Sequence, residues 1–255
     1  MSQIYFVGGE KGGVGKSVVA RLLAQWCVDR SAPFAAIDAD ASHGSLLRSY
    51  GEFTQPVDLE AFASADEIVN RALGAERTVV VDLPAQSGRA LERWIESADV
   101  VRFAGEAGIR LVLWHVSDGT FDSVRDLERT VERWGDAFRY VAVKNHGRGK
   151  DFSLFDESLG RLQVQQMGGR IIDLPELDGV SMSRIDRNGS SFWNAVHGAA
   201  GPQLLAPLQR ERTRIWLDRC FKAIGSAAEP LGETRDVSAP VVAQAPQFVA
   251  SGSFN

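Results

Sequence analysis

A short apolar run, Ile4-Tyr5-Phe6-Val7-Gly8, leads straight into Gly9-Glu10-Lys11-Gly12-Gly13-Val14-Gly15-Lys16-Ser17. An apolar run that ends in glycines reads as a buried strand feeding a turn. Residues 17–29 then place Val18, Leu22, Leu23, Trp26 and Cys27 at helical spacing. Strand, glycine-rich turn and helix in this order form the setting in which Gly-Lys-Ser binds phosphate. Glycines at 12, 13 and 15 let the backbone curl until successive N–H groups point inward. The helix adds its positive N-terminal end. Gly12, Gly13, Val14, Gly15, Lys16 and Ser17 are therefore the expected nucleotide cradle. Lys16 would meet the β- and γ-phosphates, and the Ser17 hydroxyl would be a Mg²⁺ ligand. A glycine-rich turn that binds nothing needs neither the Lys-Ser pair nor its strand and helix. One departure stands out: the common pattern G-x-x-x-x-G-K-[ST] wants glycine at position 10. This chain has Glu10 there, and it gains Lys11.

The rest of the chain continues the alternation. Short apolar runs at 34–37, 78–81, 111–116, 139–143 and 170–174 are separated by helical patterns at 59–73, 88–107, 120–134 and 153–167. Continuously apolar strands alternating with helices predict a mostly parallel, doubly wound α/β sheet covered on both faces. Beyond 174 the pattern turns helical, and residues 203–225 read as a closing helix. Pro207 lies near its first turn, and Leu217, Cys220, Phe221 and Ile224 form its core stripe. From 226 the composition shifts to Ala, Pro, Ser and Gly without periodicity. The expected organisation is one domain over 1–225 and a flexible tail over 226–255.

Ligands of doubly wound sheets bind at the carboxyl ends of the strands. Two runs end there in aspartate: Asp38-Ala39-Asp40 and Asp82. Side chains alternate along an extended segment, so Asp38 and Asp40 fall on one side. That suits one carboxylate to the hydration shell of Mg²⁺ and the other to an attacking water. An isolated aspartate is more often a helix cap. Two at successive strand ends beside Gly-Lys-Ser favour chemistry. The run over 139–143 continues to Asn145, whose amide offers the donor and acceptor that adenine requires, although asparagine is also an ordinary turn residue.

Lys-Gly-Gly-Val-Gly-Lys-Ser resembles the K-G-G-x-G-K-[ST] deviant Walker A signature of the ParA/MinD ATPases, and the likeness extends over most of residues 1–225. The resemblance implies a Mg²⁺-dependent ATPase of P-loop fold. Lys11 would be the signature lysine that reaches the phosphates of the partner in an ATP-sandwiched homodimer. Asp38 and Asp40 match the first switch, with Asp40 acting on the hydrolytic water. Asp82 matches Walker B, so that Ser17, Asp38 and Asp82 would surround the metal. Asn145 would contact the base, flanked by Pro175 in the loop over 174–180. Glu10 departs from the relatives' usual Gln or Gly and puts a carboxylate beside Lys11. After Asp82 the chain reads Leu83-Pro84-Ala85-Gln86-Ser87-Gly88, which matches the family only as far as Ala85.

The same resemblance implies non-specific DNA as a partner and a small adaptor protein that stimulates ATP hydrolysis. The expected function is an ATP-driven switch that positions or partitions a cargo such as a plasmid, a chromosome region or a large protein assembly. Plasmid mobilisation and cell-division regulation are alternatives within the family. A small-molecule kinase or ligase on the same fold, or a nucleotide-binding regulator without useful turnover, are alternatives outside it. The net charge of −5 excludes a chain coated in basic residues and allows a local patch. Arg210, Arg212, Arg214, Arg219 and Lys222 on the closing helix are interleaved with Glu211 and Asp218, and read equally as a solvated face or a DNA-facing one. The region after 226 is nearly devoid of basic residues and contains Pro240 and Pro246, which argues against a membrane-binding helix. The two cysteines lie in helical patterns far from the aspartates and form no metal or disulfide framework. The four histidines are scattered, and His115 within an apolar run reads as a core residue. No stretch reaches the roughly 20 apolar residues of a spanning helix, and the N-terminus lacks the marks of a signal peptide. The expected location is the cytoplasm, at the nucleoid where DNA is bound.

Overall fold

The computed structural model describes residues 1–40, 43–198 and 205–228. The first half contains β1 (Gln3–Gly8), α1 (Lys16–Asp29), β2 (Phe34–Asp38), α2 (Ser45–Tyr50), β3 (Thr54–Pro56), α3 (Phe62–Ala65), α4 (Glu67–Asn70), β4 (Thr78–Asp82), α5 (Gly88–Ser97) and α6 (Val100–Glu106). The second half contains β5 (Arg110–Ser117), α7 (Phe121–Trp134), β6 (Arg139–Asn145), α8 (Ser153–Asp156), α9 (Leu159–Gln166), β7 (Arg170–Leu174), α10 (Gly179–Arg187), α11 (Phe192–His197) and α12 (Pro207–Ala228).

The strands form one sheet in the order β3-β2-β4-β1-β5-β6-β7, and every pair is parallel. This is the predicted doubly wound α/β architecture. Alternation divides each strand between two cores. Ile4, Phe6, Val79, Val81, Leu111 and Leu113 face one cluster, closed by side chains of α3 to α9 such as Ile68, Trp94 and Leu127. Tyr5, Val7, Val80, Val112 and Trp114 face the other, closed by α1, α2 and α10 to α12 through Leu22, Phe192 and Trp216. Strands buried on both faces must be apolar throughout, which is why each run is legible without alternation.

Several boundaries differ from the sequence reading. The edge strand β3, Thr-Gln-Pro, was not anticipated. It has no apolar run, and its Pro56 is tolerated because an edge position has an unpaired side. The helical patterns over 59–73, 88–107 and 153–167 each resolve into two helices. Between α5 and α6, Asp99 takes a φ of 46°, which no helix interior accommodates. Between α8 and α9, Ser158 caps the second helix by accepting from the Arg161 N–H at 3.1 Å. The closing helix begins at Pro207, a residue suited to the first helical turn, and continues to Ala228. The tail beyond it, 229–255, lies outside the described residues. Cys27 and Cys220 are buried free thiols. Among the described residues, no helix is long and apolar enough to cross a membrane.

Candidate functional site

The carboxyl ends of β1, β2, β4, β5 and β6 converge on the glycine-rich loop. Gly13 and Gly15 take φ angles of 78° and 100°, which residues with a Cβ rarely adopt. The Gly15 carbonyl accepts from the N–H groups of Val18 and Val19 at 3.1 Å and so starts α1. A Cβ on Gly15 would stand 2.2 Å from Nδ2 of Asn145. That amide donates to the Val14 carbonyl at 2.7 Å, and its Oδ1 accepts from the Gly147 N–H at 3.1 Å. Asn145 therefore ties the end of β6 to the loop itself. Lys16 is buried and donates to the Lys11 carbonyl at 2.8 Å, closing the loop on itself. Burial lowers its pKa, against the pull of Asp82, Asp126, Glu10 and Asp40.

The two aspartate-ended strands are neighbours, with Asp38 paired in register with Asp82. Both oxygens of Asp38 are engaged, one by the Asp40 N–H at 3.1 Å and the other by the Leu47 N–H at 2.9 Å. Burial still holds its pKa above the usual value. Asp40 accepts from the His43 backbone at 3.3 Å and lies 3.2 Å from the His43 ring. Asp82 is fully buried, and neither of its oxygens meets a hydrogen-bond donor in good geometry. Its pKa is pushed up to about 7, first by burial and then by Asp38 and Asp40. The nearby Ser17 side chain and Lys16 pull it down.

Two buried acceptors without donors, next to a hydroxyl and two further carboxylates, have the chemistry of a hard, oxygen-seeking cation site. Among the described residues, no group of three or more His, Cys, Asp or Glu stands at metal-holding spacing. The arrangement fits Mg²⁺, which keeps waters and phosphate oxygens and needs only one or two protein ligands.

Lys11 points away from its own loop. Its Nζ lies 2.6 Å from Oδ2 of Asp118 and 2.7 Å from Oγ1 of Thr120, just past β5. Partial burial works upward on Asp118, but hydrogen bonds from Lys11, Thr120 and Ser123 hold its pKa down to about 2. Glu10 does not meet Lys11. Its carboxylate accepts from the Gly88 N–H at 2.8 Å, and its carbonyl accepts from Gln86 at 3.2 Å. Its own N–H donates to Asp126 at 2.7 Å. Asp118, Thr120 and Asp126 were missed in the sequence. Ser117-Asp118-Gly119-Thr120 follows an apolar run, so the strand-end rule that found Asp38 and Asp82 also points there. His115 is a core residue, with Nε2 3.1 Å from the Ser123 carbonyl and a pKa lowered by burial.

Asn145 and Pro175 line one cavity of about 540 Å³, with Val18 of α1 and Trp216 of α12. The Trp216 indole donates to the Pro175 carbonyl at 2.7 Å. The volume lies in the usual range for small-molecule sites. On α12, Arg214 is paired with Glu211 and Asp218, and Arg210 donates to the Leu205 carbonyl.

No protein-family model matches the chain. The chain is 26% identical over 178 residues to Protein MobD of Acidithiobacillus ferrooxidans, covering 68% of this chain and 78% of that protein. Among solved structures it is similar to the MinC:MinD cell division protein complex of Aquifex aeolicus, at 14% identity and TM-score 0.55, covering 92% and 99% of the two chains. It is also similar to apo McdA of Cyanothece, at 14% identity and TM-score 0.52, covering 90% and 100%. At these identities the likeness is one of fold. In fold the chain is similar to these MinD and McdA structures, and its glycine-rich loop is seated at the end of β1.

Proposed function

We propose that the chain is a Mg²⁺-dependent ATPase that works as a dimerising switch. The observation that carries this reading is the division of labour between the two loop lysines. Lys16 is folded into its own loop, whereas Lys11 is turned outward onto Asp118. A second lysine adds little to phosphates already served by Lys16, so its economical use is on the phosphates of a second subunit. Within one subunit, the N–H groups over 12–17 bind the phosphate chain, and Asn145 and Pro175 flank the base. Ser17, Asp38 and Asp82 would hold Mg²⁺, which when bound neutralises charge on the phosphate oxygens. Asp40, at the mouth of the carboxylate group, orients the attacking water. Hydrolysis opens the dimer, so the bond broken serves as a timer.

DNA and a stimulating adaptor are the partners of this switch, and a cargo carried over the nucleoid in the cytoplasm is its load. Likeness to a chain solved in complex with MinC supports a protein partner. Likeness to Protein MobD gives some support to a second reading, a regulatory ATPase of plasmid mobilisation. The test is light scattering and turnover with and without ATP. Lys16→Ala should lose nucleotide binding, and Lys11→Ala should keep it but remain monomeric. A wild-type chain that hydrolyses ATP as a monomer overturns the switch. Turnover that rises with a small metabolite, and not with DNA or a protein partner, points instead to a kinase or ligase.

A further inference from the structure

At the opposite end of the sheet, three neighbouring strands each begin with arginine: Arg110 of β5, Arg139 of β6 and Arg170 of β7. Each stands two residues before a member of the same core cluster, Val112, Val141 and Ile172 respectively. Side chains alternate along a strand, so all three arginines project from one face of the sheet. Neighbouring strands lie about 4.8 Å apart and residues rise about 3.3 Å along a strand, so with a two-residue stagger at each step the three form a diagonal row spanning about 16 Å between Cα atoms. The register offsets them evenly, with Val112 opposite Arg139 and Val141 opposite Arg170. All three line one cavity of about 160 Å³, floored by Tyr5 and walled by Ala227 and Ala228 at the end of α12. No ion pair joins any of them to a carboxylate among the described residues. Arg110 donates to the Met1 sulfur at 3.7 Å. In a chain of net charge −5, three arginines that line one cavity without a carboxylate partner are a built feature, whereas Arg102, Arg133 and Arg214 are ion-paired.

We propose that this strand-start cavity is a second anion site, which takes a phosphate group. Guanidinium forks match phosphate oxygens bidentately. The volume corresponds to about five waters, enough for a phosphate group and too small for a nucleoside. The site is separate from the nucleotide cavity, because that cavity gathers at the carboxyl ends of the same strands. The phosphate comes either from a nucleic-acid backbone laid across the row or from a free phosphorylated compound.

The test is calorimetric titration of pyrophosphate into the full-length chain saturated with ADP, in the absence of Mg²⁺. Arg139→Ala/Arg170→Ala is compared with Arg102→Ala/Arg214→Ala, which removes the same charge from ion-paired helix positions. Wild type and the helix variant should bind pyrophosphate alike, and the strand-start variant should bind about tenfold or more weakly. A short DNA duplex then identifies the source. Displacement of pyrophosphate by DNA, with a salt slope reduced by about 2 in the strand-start variant, marks nucleic acid. Failure of DNA to displace pyrophosphate marks a free phosphorylated compound. No pyrophosphate binding by the wild type, or equal weakening in both variants, overturns the proposal. If ADP itself does not bind, the nucleotide reading fails, and the comparison between the two variants still reports on this cavity alone.

Discussion

Lys11 is held by an acceptor that its own subunit supplies. In the proposed switch it would have to leave Asp118 and Thr120 to reach a second subunit, so the strength of that hold would tune dimerisation. Asp118→Asn keeps the shape but removes the charge. It should bring ATP-dependent dimerisation to a several-fold lower protein concentration in sedimentation experiments. The lost charge-assisted bonds should cost the monomer about 1–2 kcal/mol. An unchanged dimerisation midpoint would show that the lysine is not held in reserve. Glu10 has a different task from the one its sequence neighbour implies. It joins the loop to the first turn of α5 through Gly88, and a Cβ on Gly88 would lie 2.6 Å from Glu10 Oε1. Its carboxylate thereby serves an N–H at a positive helix end. Glu10→Ala should cost about 1 kcal/mol, the usual worth of a cap, and should speed amide exchange at Gln86 to Gly88. Glu10→Gln, whose amide oxygen can still accept, should restore protection. Equal exchange in the two variants would refute the link.

The elements explain which parts of the site could be read from sequence. Buried parallel strands are apolar throughout, so their ends show as abrupt polar residues, and Asp38, Asp82 and Asn145 were each visible there. Asp118 lies at such an end too, but Asp-Gly-Thr reads as an ordinary turn and hides it. The arginines at strand starts had no motif to mark them. Their shared cavity depends on register and strand order, which bring together arginines 29 to 60 positions apart. β3 was invisible because three residues carry no periodicity. The cavity over Asn145 depends on α12 returning to the sheet, a contact between residues 175 and 216 that local pattern does not encode. Trp216 is the hinge of that return, since it packs edge-on to Phe192 at 5.2 Å between ring centroids and donates to Pro175. Trp216→Phe keeps most of the packing and removes the donor. It should destabilise the chain by about 1 kcal/mol and weaken nucleotide binding by several-fold without lowering turnover at saturating ATP. A fall in saturated turnover with unchanged affinity would place Trp216 outside the proposed base site.

At the scale of the whole molecule, the two-sided core presses a carboxylate group into a place with little water. Asp82 carries the consequence, with its pKa raised from an ordinary 3.8 to about 7. The native chain retains a proton that the unfolded chain has already released between those values. The unfolded state therefore binds fewer protons in that window, and stability contributed by this group falls as pH rises. It is fully present below about pH 4, is lost through about pH 7 and changes no further above that. His115 works in the opposite sense, because burial lowers its pKa and the native chain rejects a proton that the unfolded chain accepts. A raw stability profile mixes the two, whereas comparison with Asp82→Asn cancels His115, which both chains share. The thermal midpoint of the nucleotide-free, metal-free wild type should match that of Asp82→Asn near pH 4, fall progressively below it toward pH 7, and keep a constant deficit at pH 8. A deficit that stays flat across the series would mean that Asp82 is already ionised and satisfied in the native chain. Asp82 would then not be a buried charge that weakens the native fold at neutral pH, and its fit to the proposed cation site would lose that support.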